Sequence, residues 1–497
     1  MESKNLKQYE HINDEFTTDY LSEYNSKSSL EETSRSETMR KFYQENFRYT
    51  KWRWVVLVSI SFSIFGSYYW YDIPNICKKQ IRKNITHEED DDYIKFDLLY
   101  AISGYVSMIL SLFGGVVIDH IGLRASYILF SIVLTLGQII FMISTTIHSQ
   151  GNAGYIVALM GRFVFGIGKN CLIIWKSVAV SDWFIGQELG LAYGITISVS
   201  RIGIVTSQYL TPIFAEVDLW LACFIGVILC ILSLGSCILF GMFQKHSDKL
   251  AAMQFESEEI MKEKFKCKYI RKIDKRFWMI CMIVLFLYIS KVNLLIIVSD
   301  LFHIKYSKDH AQYFASILVF ATILFWPIIG IIIDKIGHQM TIMIIGCITW
   351  TWSFTLFLWL PVDDKTRSLI GILPLIVFGI SYCMYSVWTW TSIPLVVMPS
   401  ALGTGFGIAV ACENFGLAFS PLILNTFINK GDSFDKYDNL MILFIITSSI
   451  ATLFSIILFV MNWLYVRKQK SQIQRYKEYN KRLNDLSKDE PDKLIPE

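Results

Sequence analysis

Apolar runs of about twenty residues, parted by short polar stretches, recur along most of the chain. That length crosses a bilayer core of ~30 Å. Inside hydrocarbon, each backbone N–H and C=O must find its partner within the protein, so such runs fold as helices. The spans read 52–73, 95–118, 125–147, 153–177, 187–214, 218–243, 277–300, 310–334, 340–360, 367–390, 398–427 and 437–465. The expected fold class is an all-α polytopic membrane protein with twelve transmembrane helices. Composition agrees: 53% of the 497 residues are hydrophobic and only 18% are charged, most of them outside the runs. A soluble enzyme, a secreted disulfide scaffold and a nucleic-acid binder are thereby excluded. The net charge of +3 says little about partners beyond the lipid bilayer itself.

The longest polar interruption, 244–276, divides the spans into six and six and holds ten Lys and Arg residues between Lys245 and Arg276. The stretch after Val466 is also basic, with Arg467, Lys468, Lys470, Arg475 and Lys477. The opposite loops carry less net positive charge, because Glu88 to Asp92 offset Lys78, Lys79, Arg82 and Lys83. Positive charge marks the cytosolic side. The expected organisation is therefore a cytosolic tail (1–51), a six-helix bundle (52–243), a cytosolic loop (244–276), a second bundle (277–465) and a cytosolic tail (466–497). The first ~50 residues are polar, so no cleaved signal peptide is expected. The sequon Asn84-Ile85-Thr86 falls on the external side, where it is either glycosylated or a chance match. Eight of the ten cysteines lie inside apolar runs, where Cys acts as a small hydrophobe, and no disulfide framework or metal site is expected.

The two sets of spans repeat a pattern. Gly115-Val-Val-Ile-Asp119-His-Ile-Gly122 recurs as Gly330-Ile-Ile-Ile-Asp334-Lys-Ile-Gly337, and Leu189-Gly190-Leu-Ala-Tyr-Gly194 recurs as Leu402-Gly403-Thr-Gly-Phe-Gly407 at nearly the same offset. Two matches at nearly one offset signal an internal repeat, here two six-helix pseudo-repeats. The stretch from Gly115 through Asp119 to Arg124 sits in a tight loop between spans 2 and 3. Asp119 is expected to accept hydrogen bonds at a helix terminus and to pair with Arg124 or another base. This spacing, present twice, resembles the loop signature of the major facilitator superfamily. That resemblance assigns Gly115, Asp119, Arg124, Gly330 and Asp334 to gating rather than to substrate. Arg162, opening Arg162-Phe-Val-Phe-Gly166-Ile-Gly168, is similar to the superfamily's span-4 pattern and is grouped with them.

Charges within the spans are expensive unless they face a partner or a wet cavity. Arg201 lies ~21 Å into span 5 at 1.5 Å per residue, and Glu413 is comparably deep in span 11. The repeat sets them at nearly equivalent positions on opposite halves. Two readings are open: a clamp for the carboxylate and ammonium of a zwitterion, or a structural ion pair. Arg162, Lys169 and Lys176 fall seven residues apart on one stripe of span 4. Lys176 is near enough to the span end to snorkel, whereas Lys169 is deeper, and Lys291 is a further cation midway along span 7. Together they suit an anionic or carboxylate-bearing substrate. No histidine lies mid-span, and Glu413 is the one mid-span carboxylate, which favours facilitated transport over proton coupling. Span 10 is aromatic (Tyr382, Tyr385, Trp388, Trp390), fit for a pocket wall or for packing. No phosphate-binding GxxxxGK[ST], HExxH or GxSxG pattern occurs, so neither an enzyme nor a cofactor is expected. Near the C-terminus Glu490-Pro-Asp-Lys-Leu494-Ile495 fits an acidic dileucine sorting signal.

Longer segments narrow the resemblance. These are Phe65-Gly-Ser-Tyr-Tyr-Trp-Tyr-Asp72-Ile-Pro74, Gly161-Arg-Phe-Val-Phe-Gly-Ile-Gly168, Trp183-Phe-Ile-Gly-Gln-Glu188-Leu, Ser200-Arg201-Ile-Gly203 and Asn414-Phe-Gly-Leu-Ala418. Over roughly 52–465 the chain resembles the lysosomal dipeptide carriers of the superfamily. The resemblance implies uniport of dipeptides out of a lysosome or vacuole, with the plasma membrane as the alternative site. It also implies a glycosylated single-pass accessory membrane protein. Carried over, Arg201 matches the family's carboxylate-binding arginine. The family's span-4 glutamate is replaced by Asn170, expected to hydrogen-bond the substrate backbone. Glu413 supplies an anion from the other half, and Lys169 and Lys291 are additions that set the field. The alternative substrate class is an organic anion or other metabolite, with proton coupling as its variant.

Overall fold

A computed structural model describes residues 47–86, 94–147, 152–184, 186, 188–254, 270, 273–305, 311–337, 339–359, 367–428 and 435–489. The described regular structure is helical throughout. The long helices are α1 (Trp52–Tyr71), α2 (94–121), α3 (123–144), α4 (Ala153–Phe184), α5 (Leu189–Val217) and α6 (Leu219–Gln254), followed by α7 (Lys275–Lys305), α8 (Ala311–Ile336), α9 (Gln339–Trp359), α10 (Arg367–Val396), α11 (Leu402–Ile428) and α12 (Asp435–Asp489). Helices α2 and α3 form one stretch broken at Gly122, whose φ of 81° and ψ of 166° suit glycine alone. Gly337 ends α8 with a φ of 70° in the second copy of that motif. Ten described stretches are long and apolar enough to cross a membrane. The stretch over Lys95–Ser144 holds two crossings because of the Gly122 turn, and α8 is a further apolar helix of spanning length. The chain is therefore a twelve-helix polytopic membrane protein.

The helices are coloured by their surroundings rather than by a soluble amphipathic stripe. Trp70, Trp175, Trp326, Trp350 and Trp388 are fully buried, while Phe113, Leu232, Leu324 and many other large apolar side chains stand exposed on the outside. In water such a surface would drive aggregation, whereas in lipid it is solvated. Helix α1 packs on α5 and α6, and α7 packs on α11 and α12. Helix α4 lies along the α2–α3 hairpin, and α10 lies along α8 and α9. Between the first six helices and the last six, the main contacts are α2 on α11 and α5 on α8.

Two extra-helical segments are pinned down. Arg48, in the turn Phe47–Tyr49, grips the Asp182 carboxylate with two nitrogens at 2.7 and 3.2 Å, and Phe47 stacks on His246 at 4.6 Å. At the other end of α1 the chain makes the short helices Ile73–Ile76 and Lys78–Ile81 and the π-helical turn Arg82–Thr86. Ile81 and Ile85 are buried and Gln80 donates to the Ala215 carbonyl at 2.8 Å, which folds this loop onto the bundle. Asn84 of the sequon is exposed on it. Helix α12 continues well past the apolar span, through Asp489.

Candidate functional site

One end of the bundle is closed by a pair of matching contacts. Asp119, at the end of α2, accepts hydrogen bonds from the backbone N–H of Gly403 and of Thr404, both at 2.7 Å, and from the Thr404 hydroxyl at 2.6 Å. Asp334, at the end of α8, accepts from the N–H of Gly190 and of Leu191, both at 2.8 Å. Each carboxylate thus satisfies orphan donors in the first turn of α11 or α5, where the helix dipole favours negative charge. The backbones touch beneath these bonds. A Cβ on Gly190 would lie 2.7 Å from the Gly330 carbonyl oxygen, and one on Gly403 would lie 2.6 Å from the Gly115 oxygen. Arg124 is exposed and is not the partner of Asp119. The expected charge pair is replaced by backbone capping, because the loop turns Arg124 outward while the α11 terminus offers donors directly.

Deeper in the bundle, charged and aromatic side chains from both sets of helices face one another. Arg201 of α5 donates to the Tyr382 hydroxyl at 2.9 Å and lies over the Trp326 ring at 5.6 Å. Lys291 of α7 sits 4.2 Å from the Tyr288 ring centre and 5.1 Å from that of Tyr382. Tyr385, one turn from Tyr382, donates to the Glu413 carboxylate at 3.5 Å. Lys169 sits 3.2 Å from the Tyr71 ring centre, with Asp72 as its anionic neighbour. Lys176 lies over the Trp390 ring at 5.8 Å. Arg201, Lys169, Glu413 and Asp72 are partly exposed, whereas Lys291 and Lys176 are buried. Four cations thus meet two carboxylates, and among the described residues none of these cations forms an ion pair with either carboxylate.

Several expected site residues go elsewhere. Arg201 and Glu413 face the same cluster but are not paired with each other; each is held by a tyrosine hydroxyl. Asn170 is buried and donates to the Ser107 carbonyl at 3.2 Å, so it ties α4 to α2 instead of joining the cluster. Arg162 is fully buried, bonded to the Leu99 carbonyl and the Ser103 hydroxyl at 3.4 and 3.3 Å. It lies ~33 Å along α4 from the end nearest the capped carboxylates, and so is not part of that closure. Lys176 does not snorkel outward; it turns into the cluster. Tyr382, Tyr385 and Trp326 were not separable by sequence from ordinary aromatic packing, since only their partners distinguish them. Glu490, Leu494 and Ile495 lie outside the described residues.

The description Major Facilitator Superfamily matches residues 55–421. The lysosomal dipeptide transporter MFSD1 of Bos taurus is 27% identical over 428 residues, covering 82% of this chain and 86% of that protein. The Homo sapiens MFSD1 is 25% identical over 425 residues with the same coverage. Among solved structures, the proton:xylose symporter XylE aligns with a TM-score of 0.60 at 12% identity, over 81% of this chain and 94% of that one. The human organic anion transporter MFSD10 aligns with a TM-score of 0.56 at 14% identity, over 82% and 98%. These two likenesses concern the fold alone. With a family match over most of its length, twelve helices and the doubly occurring loop signature, the chain belongs to the Major Facilitator Superfamily of transporters and is not an enzyme.

Proposed function

We propose that the chain is a facilitative carrier for small zwitterions, dipeptides or amino acids, working by alternating access between two six-helix halves. The observation that carries this reading is the placement of Arg201 and Glu413. They project from α5 and α11 into one cluster, and each is engaged by a neutral tyrosine hydroxyl rather than by a counter-ion. A zwitterion supplies both missing charges at once: its carboxylate takes Arg201 and its ammonium takes Glu413. Lys169 and Lys291 set the surrounding field. The Asp119 and Asp334 contacts hold the end facing the cytosol closed, so the substrate enters from the lumen. Both tails and the central loop lie in the cytosol. Likeness to the MFSD1 transporters supports dipeptides and a lysosome-like membrane. A single-pass accessory partner bearing glycans is part of the same proposal. Glycosylation of Asn84 and adaptor binding through Glu490, Leu494 and Ile495 belong to the same reading.

Uptake of labelled dipeptide into proteoliposomes tests it. Saturable uptake that falls at least ~100-fold in R201A, with the variant still folded, supports it; wild-type uptake in R201A overturns the site. The excess of cations favours a second reading, an organic-anion carrier. Competition by amine-free carboxylates as strong as that by dipeptides would establish it.

A further inference from the structure

We infer that this site selects peptides whose first residue bears a side-chain carboxylate, and that Lys176 is the residue that reads it. The inference rests on the zwitterion reading above. Lys176 is only 3% exposed, and no carboxylate approaches it within ion-pair distance among the described residues. Its ammonium has the Trp390 ring at 5.8 Å and, among the described residues, no hydrogen-bond acceptor. Burying an ammonium beyond ion-pair distance of any carboxylate is costly, and a charge kept inside a membrane protein at that cost faces a pathway or a ligand.

Lys169 faces Asp72 and the Tyr71 ring, Arg201 is bonded to the Tyr382 hydroxyl, and Lys291 lies against the Tyr288 and Tyr382 rings. The anionic neighbour of Lys176 is Glu413, which also faces Lys291 and Arg201. Once the substrate ammonium takes Glu413, that negative charge is neutralised and Lys176 is stranded. A carboxylate on the same residue as the ammonium repairs the loss. Tyr385, which holds Glu413, and Trp390, which flanks Lys176, both belong to α10 and lie ~7.5 Å apart along its axis. A neutral side chain leaves Lys176 unpaired, and a basic one adds repulsion.

Binding of Glu-Ala, Gln-Ala, Lys-Ala and Ala-Glu to the purified full-length chain tests this by calorimetry. Glu-Ala is expected to bind roughly tenfold or more tighter than Gln-Ala, with Lys-Ala weakest. In K176Q the Glu-Ala to Gln-Ala ratio collapses toward one. In K176E the order turns toward Lys-Ala, which a misfolded protein cannot produce. Equal binding of Glu-Ala and Gln-Ala by the unaltered chain overturns the inference while leaving the carrier reading intact. So does a ratio that survives K176Q, or an equal gain for Ala-Glu. If glutarate binds and no peptide does, the zwitterion reading itself has failed and this inference falls with it.

Discussion

Asp119 and Asp334 do the same work at matching places: each carboxylate, at the end of one helix, caps the first turn of a helix from the other set of six. The two contacts draw α2 to α11 and α5 to α8, and they close one end of the bundle. Two small sets of hydrogen bonds over glycine contacts form this closure, and the proposed rocking requires that they break.

Neutralising either carboxylate weakens the closed end. D119N or D334N loses the charge–dipole attraction, worth about 1 kcal/mol each, so the closed-to-open ratio falls roughly fivefold. Spin-label distances across that end report the change. An unaltered distribution in both variants would contradict the latch.

The glycine contacts make a sharper case. G190A places a methyl group against the Gly330 carbonyl, and G403A does so against Gly115 and Asp119. Backbone cannot yield as a side-chain tip does, so both variants are expected to favour the open end. Cysteines placed at that end should then label faster with a membrane-impermeant maleimide. Slower or equal labelling would count against the contact.

The Tyr382 hydroxyl now holding Arg201 must be given up when a carboxylate arrives. A neutral hydrogen bond is worth about 1 kcal/mol net, so Y382F should tighten substrate binding several-fold. Titration calorimetry of the folded variant checks this. A loss beyond tenfold would mean that the hydroxyl touches the substrate directly.

Outside the membrane, Asp274 caps α7. Burial alone would raise its carboxyl, but hydrogen bonds from the Arg276 side chain and backbone outweigh that and hold it below the ordinary carboxylate range. A depressed folded value means stability that is complete above the unfolded value, near 3.9, and lost as pH falls through the folded one. D274N should therefore lower the melting temperature modestly at pH 7. The difference from the unaltered chain should shrink only below about pH 4. A difference that vanishes already near pH 6 would refute this origin.

The twelve helices were legible because apolar runs of membrane length admit one backbone solution. The turn at Gly122 and its copy at Gly337 were legible from the repeated motif. The partners of Asp119 were not, since Gly403 and Thr404 lie 284 and 285 residues away and donate through backbone atoms that no sequence pattern marks. Arg124, near in sequence, was the natural expectation and stands exposed. Charge position along a span likewise told depth but not direction. Arg201 and Glu413 turn into the cluster, Arg162 and Asn170 bind α2, and Lys176 turns inward despite its nearness to the span end. Which way a side chain points depends on helix rotation, set by packing across the whole bundle.

The central claim, that a zwitterion crosses by alternating access at Arg201, is met most directly by counterflow in proteoliposomes. Unlabelled dipeptide inside should accelerate entry of labelled dipeptide, without a proton gradient, and R201A should abolish the effect while leaving the protein monodisperse. Entry indifferent to internal dipeptide, or counterflow preserved in R201A, would contradict the account.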